Sequence, residues 1–142
     1  MRKNKDTGFS LLELLIVVAI ILIIAKIAIP SLFRSRQAAN EASAVSSLRT
    51  VATAQITFGV SHAGSFGSLA ELVTEALVDN RFGTGAAIAG YTYSITSGFA
   101  TFTAQANPGG NSGRYNYVVY EDGVIRYNTQ FPTGFATNSV VQ

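Results

Sequence analysis

The chain has no cysteine and a single histidine. No disulfide can staple it, and a zinc site built from Cys and His is excluded. Charge is scarce too, at 13% of residues, and the formal net +2 is placed unevenly. Arg2, Lys3 and Lys5 against Asp6 carry all of it. From Phe9 onward, Lys26 and six arginines meet an equal number of acids. The sequence pI near 9.1 is therefore no sign of a nucleic-acid surface, and nucleic acid is not expected as a partner. A neutral body does not resist self-association as a strongly charged one would.

Convergent reactive groups are lacking as well. His62 lies beside Ser61 in a turn, adjacent residues do not make a nucleophile–base pair, and a solvated loop histidine is expected. No catalytic residue and no cofactor are expected. Glu121 and Asp122 offer oxygens at a tight hairpin turn with no third acid nearby, too few for calcium. The glycine-rich stretch 108–113 lacks the lysine and following helix of a phosphate cradle, and is expected to be a flexible loop.

What is abundant is apolar surface in one place. Residues 9–29 are 21 nearly unbroken apolar positions, which as a helix span roughly 30 Å, the thickness of a bilayer's hydrocarbon. A short basic leader ending in Gly8 precedes them. A cleaved secretory signal would have a shorter core and a small-x-small site behind it, but Pro30-Ser31-Leu32-Phe33-Arg34 follows here. A plain uncleaved anchor accounts for the length but not for Gly8 or Glu13. A lone carboxylate inside such a run is costly, so Glu13 is a functional candidate. Charge bias would hold the leader in the cytoplasm, although Arg34 and Arg36 on the far side nearly balance it.

Basic leader, Gly8, Phe9, apolar run and Glu13 together resemble the prepilin signature of the type IV pilin superfamily, which includes the pseudopilins of type II secretion. The resemblance is specific over residues 8–30 and architectural beyond them. It implies cleavage between Gly8 and Phe9 by a prepilin peptidase that also N-methylates Phe9. It further implies use of Glu13 in assembly, through a neighbour's N-terminal ammonium, and a helix kink at Pro30. The implied partners are that peptidase/N-methyltransferase, the inner membrane before assembly, an inner-membrane assembly platform with its ATPase, and further copies in a helical homopolymer. The implied location is a single-pass inner-membrane precursor with its C-terminal domain periplasmic, then an extracellular filament. Lys26 departs from the family's apolar pattern. Near the outer end of the run, its stem is expected to snorkel to the interface, with pairing inside a filament as the other reading. Major pseudopilins bind calcium in their C-terminal region, and the weak ligand set here leans toward a pilin. Two alternatives stay open: a type II pseudopilin, and a membrane-anchored periplasmic protein that never polymerises.

Past Pro30 the helix should continue. Ala38, Ala42, Val45, Leu48, Ala52 and Ile56 recur at helical spacing as a stripe of small apolar side chains, with Arg34, Arg36, Glu41 and Arg49 off it. Gly59 and the turn at 61–64 close it. Ser68-Leu69-Ala70-Glu71 is a capping-box pattern heading a short helix over about 69–78, and 80–90 reads as loop. The period then changes to two. Strands are expected at 91–96, 99–106, 114–120 and 124–128, the last two joined by a hairpin turn at Asp122-Gly123. Tyr91, Tyr93, Tyr115, Tyr117, Tyr120 and Tyr127 are read as sheet packing. The expected fold is α+β, a long N-terminal α-helix packed on a four-stranded antiparallel β-sheet. The expected organisation is leader 1–8, apolar helix 9–30, amphipathic half 31–58, and 59–142 forming one domain with 31–58. The tail 129–142 either covers a sheet edge or hangs free.

Overall fold

The computed structural model describes residues 9–128 and 141. Residues 1–8, Gly8 included, and all of the expected tail except Val141 lie outside the described residues. Helix α1 runs Leu11–Ser61, and α2 runs Leu69–Thr74. Four strands follow: β1 Tyr91–Ser97, β2 Phe102–Pro108, β3 Asn116–Tyr120 and β4 Ile125–Asn128. They form one antiparallel meander in sequence order. The fold is therefore α+β, a long N-terminal helix with a four-stranded antiparallel sheet. Two compact units divide between Ser35 and Arg36.

In the second unit, the inward face of α1 is Glu41, Ala44, Leu48, Val51, Gln55 and Phe58. These apolar members share one buried cluster with Leu72, Phe82, Tyr91, Phe102, Ala104, Ala106, Tyr117, Val119 and Ile125. Alternation along β2 buries Phe102, Ala104 and Ala106, as a half-buried strand requires. Leu48 and Ala52 of the expected stripe are buried and Val45 is half-buried, but Ala38, Ala42 and Ile56 face solvent. The buried stripe is rotated because it includes two polar residues whose partners lie far along the chain. Gln55, fully buried, donates from Nε2 to the Gly67 carbonyl and accepts from the Gly67 amide. Its amide thus pairs with backbone as a strand would. Gln55→Leu leaves that buried N–H and C=O without partners, so a loss of about 2–4 kcal/mol is expected, read as a lowered denaturant midpoint with unchanged slope.

Glu41 is the other polar member. Its Oε1 accepts from the Arg114 backbone amide at 2.8 Å and from Arg114 Nε at 3.0 Å, while Oε2 takes Arg114 Nη2 at 2.8 Å. Gln37 and Asn40, on the preceding turn, donate to the carbonyls of Asn111 and Ser112. The glycine-rich segment after β2 is thus tied to α1 by three consecutive attachments, which corrects the expectation of a flexible loop. Its close approach needs glycine, since a Cβ on Gly113 would run into the Tyr91 hydroxyl. That hydroxyl donates to the Tyr115 carbonyl, and burial pushes its pKa up. Arg114 itself lies outside β3, whose ladder starts at Asn116.

Other boundaries moved for local reasons. The capping box at Ser68 and Glu71 forms as expected, but α2 stops at Thr74. Ala76 takes a left-handed φ of 54°, with amide bonds from Ala76 to Val73 and from Leu77 to Leu72. That is a Schellman ending made without glycine, so no stop signal is visible in the sequence. The 80–90 segment contains a 3₁₀ turn, Asn80–Phe82, capped by Asp79. It buries Phe82 edge-on against Tyr93 at 5.1 Å. β2 starts three residues late because 98–101 forms the turn, with the Gly98 amide bonded to the Thr101 carbonyl and Ala100 at φ 62°. The Asp122-Gly123 turn holds, with Gly123 at φ 70°. Asp122 there receives Arg126 Nη2 at 2.6 Å and the Val124 amide, so its oxygens are already engaged. His62 is exposed in the turn after α1, as expected, and is stacked on Phe58 at 3.8 Å with Nε2 3.2 Å from Glu75. Val141 donates to the Ile125 carbonyl of β4, at the sheet's edge.

Candidate assembly site on the N-terminal helix

In the first unit no described residue covers the helix. Every described residue from Phe9 to Phe33 is exposed except half-buried Ala25. Leu11 is 81% exposed, Ile23 65% and Ile27 74%. The most apolar 18-residue window of α1 has mean hydropathy 3.0 and no buried residue, and the helix is long and apolar enough to cross a membrane. A helix this apolar, uncovered by the described residues, needs lipid or other helices around it.

The structure places the candidate residues as follows. Phe9 precedes α1 and is 79% exposed. The Ser10 carbonyl accepts the first amides of the helix, from Glu13 at 3.1 Å and Leu14 at 3.2 Å. Glu13 therefore stands in the first turn. There the positive end of the helix dipole favours a carboxylate by about 0.3–1 kcal/mol at the surface. Ser10 and Glu13 also have capping-box spacing, which gives the acid a second, purely local reason to be there. Phe9 and Glu13 fall within one turn of each other at the helix start. Lys26 is exposed further along. Pro30 lies inside α1, which continues on both sides of it. Proline has no N–H, so the Lys26 carbonyl four residues earlier loses its usual helical donor.

Among the described residues no group of three or more His, Cys, Asp or Glu comes together. Sequence reasoning finds Glu13 because an acid stands out in an apolar run. It does not find Glu41, whose role depends on Arg114, 73 residues away.

No curated protein matches the chain. A family model described as the prokaryotic N-terminal methylation motif matches residues 3–28, a range that contains Gly8, Phe9, Glu13 and Lys26. The N-terminal segment of this chain carries the signature of type IV pilins and pseudopilins.

Proposed function

We propose that the chain is a structural subunit of a type IV pilus, made as an inner-membrane precursor. In this reading residues 1–8 are a leader removed between Gly8 and Phe9, and the new N-terminus of Phe9 is methylated. Residues 9–30 leave the membrane to become the core of a filament, and 31–142 form the body each copy displays. The observation that carries it is the bare helix that the methylation motif overlaps: a long apolar surface that the described residues leave uncovered. Lipid covers that surface before assembly and neighbouring helices cover it after. A glycine before the cut leaves room for close approach of a peptidase backbone. Replacing Gly8 by glutamate is expected to leave the chain full-length in the membrane, seen as an unshifted mass. Normal cleavage in that variant would remove the proposed site.

The second reading is a pseudopilin of a type II secretion system, which shares the motif. In favour of the pilus, Asp122 spends its oxygens on Arg126 and Val124 instead of offering them to a cation. Shearing separates the two. A pilus subunit accumulates in filaments stripped from the cell surface, whereas a pseudopilin stays in the cell envelope. A chain found uncleaved in the membrane would favour a simple anchor over both.

A further inference from the structure

Between Phe9 and Phe33 the chain has two charged side chains, the carboxylate of Glu13 and the ammonium of Lys26. They are equal and opposite, and both lie on the exposed helix. They are 13 residues apart in sequence, which on an α-helix means about 20 Å of rise, far beyond reach of each other within one chain. The same steps turn the helix so that the two side chains point roughly 140° apart, on nearly opposite faces.

That angle selects among ways for copies to meet. In a two-fold pair the same patch meets itself, so acid and base would have to share one face. In a head-to-tail repeat each copy shows one face to the copy ahead and the opposite face to the copy behind. Opposite charges on opposite faces fit the second arrangement, with parallel helices staggered by about 20 Å. Position 26 also carries a second polar group, the carbonyl that Pro30 leaves without its helical donor. While lipid surrounds the helix, the four-carbon stem of Lys26 lets its charge reach the interface. Once helices replace lipid, an unpaired ammonium becomes costly and requires a partner.

We propose that Lys26 of one copy pairs with Glu13 of the adjacent copy, in a head-to-tail contact between parallel helices. The pair rests on the polymerising reading above and names the groups that set its stagger. A carboxylate has room for several donors, so Glu13 can hold the Lys26 ammonium beside a neighbour's N-terminal ammonium.

Lys26 is the one lysine after Gly8, so the linked residue distinguishes a Glu13–Lys26 amide from one to the N-terminal amine of Phe9. A lipid-permeable carbodiimide joins a carboxylate and an amine in contact as an amide, taking up the water they lose. Applied to filaments of the wild-type chain, it is expected to give a ladder of covalent multimers on a denaturing gel. Mass spectrometry should then locate a Glu13–Lys26 linkage. Lys26→Met should be cleaved normally, lose the Glu13–Lys26 linkage even where one to the N-terminal amine remains, and yield at least tenfold fewer filaments. Lys26→Arg should restore yield without that linkage. Wild-type filaments lacking the Glu13–Lys26 linkage, or full yield from Lys26→Met, would overturn the pair while leaving the polymer reading intact. Failure of the wild-type chain to form any multimer would overturn that reading and the pair together.

Discussion

Replacing Glu13 with alanine is expected to leave the leader cleaved normally while filament yield falls more than a hundredfold. In the assembled state the variant strands its partner ammonium in apolar surroundings, which costs about 3–5 kcal/mol. Each 1.4 kcal/mol is a factor of ten, so one such defect per subunit contact suffices. The competing explanation is local. Glu13 sits in the first turn of α1, and there its favourable interaction with the helix dipole is worth about 0.3–1 kcal/mol. Loss of that term alone predicts less than a tenfold fall. Quantifying sheared filaments against cleaved protein in the membrane separates the two, because their expected magnitudes do not overlap. A yield within fivefold of wild type would make Glu13 a helix-starting residue and nothing more.

The second large effect belongs to the body of the protein. Arg114→Ala removes the guanidinium that engages both oxygens of Glu41 and leaves a carboxylate only 7% exposed. The backbone amide of residue 114 still donates to it, and Arg114 itself is more than half exposed. The cost should therefore fall below that of a fully buried pair, at about 2–3 kcal/mol near neutral pH. The pH dependence has a definite sign. The Arg114 side-chain bonds hold the Glu41 carboxyl below its ordinary value of 4.5, against the opposing effect of burial. A carboxyl lowered on folding contributes stability above its unfolded value, and that stability drains away as pH falls through the folded one. Wild type should thus weaken below about pH 4.5, and its advantage over Arg114→Ala should shrink there. Denaturant titrations of the detergent-solubilised protein at neutral and acidic pH measure this. A variant equally stable at neutral pH would mean the brace between α1 and the loop contributes nothing.

The elements that the sequence reveals are those whose cause is local. Ser68 and Glu71 announce α2 because a capping box acts over three residues, and Asp122-Gly123 announces its hairpin because only a few residues take positive φ easily. The apolar run needs no partner to be recognised. What stays hidden depends on distant residues or on conformations that residue type does not signal. Glu41 and Gln55 look like solvent-facing positions until Arg114 and Gly67 arrive to satisfy them. That is why the stripe through Ala38, Ala42 and Ile56 looks like the core face and is not. Ala76 and Ala100 adopt turns usually signalled by glycine, so the end of α2 and the start of β2 are displaced. At the N-terminus, Glu13 and Lys26 are legible because charge is so rare there. Their partners are not, since in the proposed reading those belong to other copies or to the membrane.

In the proposed reading the chain is cut after Gly8 and carried into a filament through the helix that follows. Mass spectrometry of the N-terminal peptide from filaments sheared off the cell surface tests it most directly. The account predicts an abundant chain beginning at N-methylated Phe9. A sheared fraction without the protein, with an intact chain beginning at Met1 in the membrane, would contradict it.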